Sequence, residues 1–550
     1  MMQFSWIQYF IPIVSKSTDT HGSLLFITSQ KQKTRTSNLP LQKYILGSKQ
    51  SGEHAYDKLT RFSTMWKASE NHESIHNNRF GRSQNVDYGN SHPFERMQRQ
   101  RNLFTQSNVR ETDSRRLQLN HWMDDAEYKP MRIVSDTTFL DLATGSDREK
   151  IHFLKNEVLP PAFEFWTKAL RVFPLQQNLV VDEEFCPISD ITQTVEGVAN
   201  VDLLILLAVD VKAICDNGPL AAARSCQADQ FDRPVVGTTV VCLDKLDLED
   251  DATKDTYISV LIHELSHVLG MRAIDFAYYY DQNTGLPRTP RPLQAHNVSC
   301  VDGTTSEVIL PSPNTIQRGR TKNGLLYYEV VTPTVKTVVR NQFNCQSMTG
   351  ARLENQPTND GNCFGSHWEA VSAYIVPSLV KSEAFDIFQY NHYSNIILPC
   401  LCIHNSTYCK KRLFASDLLS AIALQTDQFV TPMTLALLED SGWYKPNYSV
   451  SKKSPFGNGR GCEFVYEDCI DDNGNVPEWG EGFFCNEKLG INSRLRCDGT
   501  LHFVSRCDLV DFDDYPHGVS PIFPYQYFKE HPVSTFFPFK FDLCFLTSFK

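Results

Sequence analysis

No sustained hydrophobic period runs through residues 1–128, where polar side chains dominate and aliphatic ones are sparse, so this stretch reads as a disordered leader or pro-segment. From residue 129 the pattern changes. "MRIVSDTTFLD" reads as a strand-like entry, and "DREKIHFLKNEVLPPAFEFWTKAL" has helical spacing that should break near Pro160 and Pro161. "NVDLLILLAVD" (200–210) and "RPVVGTTVVCLD" (233–244) are β-rich runs of the kind that fill a sheet. "TYISVLIHELSHVLG" then carries apolar residues around most of its circumference, which predicts a buried helix. Thr253 or Asp255 is placed to cap its start, and Gly270 falls where it should stop. Residues 271–362 are loop-rich, with strand candidates in "LLYYEVVTPTVKTVV". A later helix, "TPMTLALLEDSGWY" (431–444), ends at a glycine–aromatic corner. Beyond Lys453 the chain is turn-rich and holds Cys462, Cys469, Cys485, Cys497 and Cys507, which reads as a separate, stapled region.

The buried helix also carries chemistry. His263, Glu264 and His267 form H-E-x-x-H, and on a helix residues i and i+4 share a face, so both imidazoles can reach one ion. Glu264 projects beside them, where it can take a proton from a metal-activated water. Gly270 continues the longer H-E-x-x-H-x-x-G-x-x-H form, but its last position is Ala273. A catalytic zinc needs three protein ligands and an open fourth position. The candidates for the third are His296, His367, His392, His404, a later His, or a carboxylate. His367 has the most suggestive context, a small-residue bend at Gly365 and Ser366 just after Cys363.

Composition narrows the classes. The 550 residues suffice for two or three domains, and a net charge of −11 gives no whole-chain case for nucleic acid. That average hides an asymmetry: residues 1–129 are net +6 and the remainder net −17. The basic run at Arg96, Arg99 and Arg101 is read as a solvated arm rather than a nucleic-acid patch. All 16 Cys lie at or after Cys186 without repeated C-x-x-C pairs, which favours disulfides over a thiolate metal site. With sequons at Asn297, Asn405 and Asn447, they suggest a secreted or cell-surface glycoprotein. The apolar N-terminus lacks a basic n-region and a small-residue cleavage site, so a cytoplasmic location is the alternative.

"HELSHVLG", a long insertion, "GSHWE", "TLALLEDSGWY" and "GRGCEFV", in that order, resemble the leishmanolysin family of zinc endopeptidases. The resemblance covers roughly residues 130–370 and 423–533. It implies a split motif, in which a subdomain separates the glycine from the third ligand. Carried over, the ligands of one Zn2+ per chain are His263, His267 and His367, and Glu264 is the general base. The implied reaction is hydrolysis of peptide bonds in proteins or peptides, with the substrate extended along an edge strand. Cell-surface or extracellular-matrix partners are compatible with it.

The fold class expected is α+β: a metzincin-like catalytic domain, with a twisted mixed sheet and an active-site helix, plus an inserted subdomain and a Cys-rich C-terminal domain. The boundaries are 1–128 leader, 129–270 N-terminal catalytic subdomain, 271–362 insertion, 363–453 third-ligand region, 454–533 Cys-rich domain and 534–550 tail. Three departures from the family stand out. No Met lies between His367 and Met433 to build the turn that metzincins place beneath the metal. Residues 371–422 and the tail read as foreign sequence, and the former should pack poorly. The leader has no Cys to block the metal. The competing function is therefore a disabled relative that acts in adhesion or binding.

Overall fold

The computed structural model describes residues 125–484, apart from several stretches of which the longest is 376–406, and three short strands between Arg496 and Phe539. The leader through residue 124, His392, His404, Asn405, and Cys400, Cys402 and Cys544 lie outside the described residues.

A four-stranded mixed sheet organises the described part. Strand β1 (Ile133–Asp136) enters first, as its sequence predicts. The helical run that follows is not broken by its prolines. It passes from Asp147–Phe153 through a wider π-type stretch, Leu154–Val158, into helix α1 (Leu159–Ala169). Pro160 and Pro161 sit in the first turn of α1, at its junction with the π-type stretch. Strands β2 (Leu203–Val209), β3 (Ala221–Ala228) and β4 (Pro234–Val241) complete the sheet.

The strand order is β1-β2-β4-β3, with β1, β2 and β4 parallel and β3 antiparallel on the edge. Both β-rich runs are thus internal strands, which explains why they read as unbroken apolar blocks: each buries both faces. Leu203, Ile205 and Leu207 of β2 point into the large core, while Leu204, Leu206 and Ala208 point into a second cluster on the opposite face. Disulfides Cys186–Cys226 and Cys215–Cys242 staple that second side.

Helix α2 (Thr253–Val268) packs against the sheet through Leu261, Leu265 and Val268. Its residue-level cap differs from expectation. Ala252 occupies the N-cap without a side-chain hydrogen bond, and Thr253 is already helical. Instead, Asp250 accepts the Ala252 amide with its carboxylate and the Thr253 amide with its carbonyl. The C-terminal end agrees with the sequence. Gly270 takes φ +118°, its amide donates to the His267 carbonyl, and the Met271 amide donates to the Ser266 carbonyl, the paired bonds of a Schellman stop. The buried Trp166 of α1 donates its indole N–H to the Ile262 carbonyl at 3.1 Å and fixes α1 against α2.

Past α2, "LLYYEVVTPTVKTVV" splits into two elements. Leu326–Val330 is strand β5, but Pro333–Phe343 is helix α3, with Pro333 in its first turn. The valines misled: Val335 and Val339 are one helical turn apart and both are buried. Helix α4 (Pro432–Asp440) begins with Thr431 as its N-cap and is followed by Gly442 and Trp443. The described residues of 454–484 do not stand apart. Phe456, Phe464, Phe483 and Phe484 join the main core beside Phe343, and Cys462 is bonded to Cys345 of the body. Nor do 413–420 pack poorly. Leu413, Phe414, Leu418 and Leu419 are buried in that same core.

Candidate metal centre

Two turns of α2 place His263 and His267 on one face, and a distant segment brings His367 to meet them. The Nε2 atom of His263 lies 3.1 Å from that of His267 and 3.2 Å from that of His367. These three residues form a group able to hold a metal ion, and it is the one such group among the described residues. His296 is exposed on the strand Ala295–Ser299 and takes no part.

The remaining ring nitrogens decide the chemistry. His263 Nδ1 meets the Leu418 carbonyl at 2.6 Å, and His267 Nδ1 meets the Met271 carbonyl at 2.8 Å. His367 Nδ1 meets Glu354 Oε1 at 2.7 Å. Carbonyls and carboxylates accept, so each Nδ1 carries a proton and each Nε2 is left with a lone pair to donate. Three imidazoles fixed this way are a set of neutral nitrogen donors, which is what zinc takes, each backed by an outer acceptor.

Electrostatics agree. Burial, and then the charge of His367, pushes His263 down to about 4. Burial likewise holds His267 well below the ordinary value. Burial also pushes His367 down, but the charge and hydrogen bond of Glu354 more than offset it, so this ring ends above the ordinary value. Burial would raise the Glu354 carboxyl, yet the His367 charge and the Ser366 and His367 hydrogen bonds hold it below the usual range. Glu264 is the opposite case. Burial pushes it up to about 8, against the lowering influence of His367 and of a hydrogen bond to Ala223 on β3.

Local structure explains how His367 arrives. The disulfide Cys300–Cys363 anchors the segment four residues upstream. Glu354 then clamps it: its carbonyl accepts from the Gly365 amide, its amide donates to the His367 carbonyl, and its carboxylate takes the Ser366 amide at 2.9 Å. A Cβ at residue 365 would stand 1.7 Å from Glu354 Oε1, so any larger residue has to displace that carboxylate. Ser366 Oγ accepts the amide of Ala273 at 3.1 Å. The position where the local motif lacks its histidine is therefore docked against the neighbour of His367.

Sequence reasoning missed two participants. Glu354 is one carboxylate in "ARLENQ", and nothing in its spacing distinguishes it from a surface residue. The turn at 417–420 lies inside the segment read as foreign, yet its Leu418 carbonyl holds His263. Met433 is buried at the start of α4.

Comparison with known proteins follows the same outline. The family model described as leishmanolysin, a peptidase family, matches residues 141–375 and 403–546. The match includes His263, Glu264, His267, Glu354 and His367. It also takes in 371–375, 403–422 and much of the tail, all of which read as foreign, so the unmatched interior is confined to 376–402. A leishmanolysin-like peptidase of Drosophila melanogaster is 29% identical over 340 residues, 59% of this chain and 42% of its own length. That of Drosophila pseudoobscura pseudoobscura is 26% identical over 449 residues, 70% of this chain and 58% of its own. Leishmanolysin of Leishmania tropica is 22% identical over 403 residues, 72% and 47% respectively. The chain thus spans about half the length of these relatives.

Proposed function

This chain belongs to the leishmanolysin family of metallopeptidases, and from that premise we propose that it is a zinc-dependent endopeptidase acting on protein or peptide substrates. The observation that carries the reading is the donor set: three Nε2 atoms turned to one point, each ring held in the required tautomer by an acceptor on Nδ1. His263, His267 and His367 would hold the ion. Zinc held there would supply Lewis acidity, lowering the pKa of a water towards about 7 and polarising a carbonyl.

Glu264 moves the proton. Its carboxylate accepts a proton from water as the new C–O bond forms, and delivers it to the amide nitrogen as the C–N bond breaks. The second proton of the water also ends on the leaving nitrogen, so the products are an ammonium and a carboxylate, and Glu264 returns to its starting form. The hydrogen bond to Ala223 ties Glu264 to β3, the antiparallel edge strand. An extended substrate adds to the outer edge of β3, so the groups that align its backbone and the group that moves the proton are linked directly.

The same reading puts the protein in an oxidising compartment, at the cell surface or outside the cell. Four disulfides support it, as does Asn447, exposed in an Asn-Tyr-Ser sequon. The deciding experiment is to load the purified chain with zinc and assay an unstructured protein by mass spectrometry of its fragments. Zinc-dependent internal cleavage is expected. A zinc-loaded, folded chain that cuts nothing would leave a binding role in its place.

A further inference from the structure

Asp417 is 1% exposed, is not a metal ligand, and has a place in the centre that no motif announces. Its carboxylate is surrounded by donors. It accepts the Leu419 amide at 2.8 Å, the Thr431 amide at 3.3 Å, the Thr431 hydroxyl, and the Thr434 hydroxyl at 2.9 and 3.0 Å. The Asp417 carbonyl accepts the Ser420 amide at 3.0 Å, which closes a tight turn over 417–420. The carboxylate thus bolts that turn to the first residues of α4.

Each middle residue of the turn serves a ligand. The Leu418 carbonyl receives His263 Nδ1 at 2.6 Å. The Leu419 carbonyl receives the Trp368 amide at 2.9 Å, one residue from His367. A second connection runs through Thr434, which donates to Asp417 and accepts the Trp368 indole N–H at 2.9 Å. One carboxylate therefore controls two carbonyls, and through them the orientation of one ligand and the strand carrying another.

Stability alone gives little reason for a carboxylate here. Enclosing a charge costs several kcal/mol even when it is well paired, and an apolar contact would close the same gap. Burial pushes Asp417 up to about 6 despite its donors, so the cost is not fully offset. The cavity beside it, lined among others by Val338, Phe414 and Met433, is about 30 Å³, room for a water and not for a ligand. What the carboxylate does provide is acceptors on two sides at a fixed point.

We propose that Asp417 is a positioning residue of the metal centre, holding the 417–420 turn so that Leu418 orients His263 and Leu419, with Thr434, orients the His367 strand. This rests on the zinc-peptidase reading above. Outer-sphere residues of this kind typically contribute 10–100-fold to metal affinity.

The test uses the full chain with Asp417→Asn, the milder Thr434→Val in case the first does not fold, and Asp440→Asn as a matched control. Asp440 is also fully buried, at the far end of α4, and accepts the Thr334 and Val335 amides and the Thr334 hydroxyl, with no connection to the histidines. Zinc affinity is measured by chelator competition, Tm by calorimetry, and the His263 Nδ1–H by NMR with and without zinc. Expected are a 10–100-fold loss of zinc affinity in Asp417→Asn, a smaller loss in Thr434→Val, and a shifted or exchange-broadened His263 Nδ1–H in both. Asp440→Asn should lower Tm and leave both other readouts at wild type. If affinity merely tracks Tm across all three variants, or the His263 proton is unmoved, Asp417 is structural and the inference fails. A wild-type chain that takes up no zinc sinks the metal reading itself, a different result from the same titration.

Discussion

The Nε2 atoms of His263 and His367 face each other at 3.2 Å across 104 residues of sequence. Two ligands about 2.0–2.1 Å from a tetrahedral ion stand roughly 3.3 Å apart, so this spacing, like the 3.1 Å between His263 and His267, is that of two ligands sharing a zinc. It also suits a shared proton, and the two compete for the same place.

That competition gives a pH dependence with a definite sign. His367 is raised above its ordinary value, so in the metal-free chain it is the ring that holds the extra proton. Above its pKa the ring is neutral and zinc affinity is flat in pH. Below it, affinity should fall about tenfold per pH unit, with one proton released per zinc bound. His263 should add no second proton until pH approaches about 4. Calorimetry in buffers of different ionisation enthalpy counts these protons directly.

Glu264→Gln removes the proton acceptor and leaves all three ligands. Zinc content should stay near one per chain, while kcat falls by about 10²–10⁴. His367→Ala should lose metal and hydrolysis together. Equal activity in Glu264→Gln and wild type would assign the proton transfer to another group.

Glu354→Gln keeps the shape of the clamp but weakens its hold on His367 Nδ1. Zinc affinity should drop about 10–100-fold, and the pH at which affinity begins to fall should move down, because the His367 pKa loses its main raising influence. Gly365→Ala forces Glu354 aside and should weaken zinc binding in the same direction. Normal affinity in both would mean that the Cys300–Cys363 anchor alone positions the ligand.

How much of this is readable from sequence varies with the range of the interaction. The α2 helix, its glycine stop and the His263–His267 pair are local, and periodicity and spacing carry them. Both internal strands are legible for the same reason. His367 is one of several candidates on spacing, and family resemblance selects it. Glu354 and Asp417 are invisible, since a carboxylate acquires its role from partners far along the chain. The α3 error has the same root: β-branched side chains outweigh a helical spacing whose start is marked by Pro333. The reading of 371–422 as foreign is too broad, because the family match resumes at 403 and the core resumes by Leu413.

Residues 376–406 should accordingly be dispensable, whereas the flanking parts of 371–422 should not. Val371–Ile375 pairs with Thr407–Lys411, with Ile375 opposite Thr407. Replacing 376–406 by Asn-Gly should close the pair as a two-residue hairpin and keep both zinc affinity and Tm. Excising all of 371–422 removes Asp417, Leu418 and Leu419 with it, and should abolish zinc binding. Chelator titration of the two proteins distinguishes these outcomes.

The hydrogen bond from Ala273 to Ser366 has a wider consequence. It joins the two ends of the excursion at its base, so the stretch between them is a closed loop whose length the metal does not sense. Closure entropy grows only logarithmically, and doubling such a loop costs about 0.6 kcal/mol. Insertions at its exposed turns, such as the one at Asn283 and Thr284, are therefore nearly free with respect to the ligand set, provided the core residues and the Cys300–Cys363 anchor are kept and the chain returns in register. A shift of one residue on the return would present Ser366 or Trp368 where His367 belongs. Selection on this region should accordingly be lax about how far the chain wanders and strict about the phase in which it comes back.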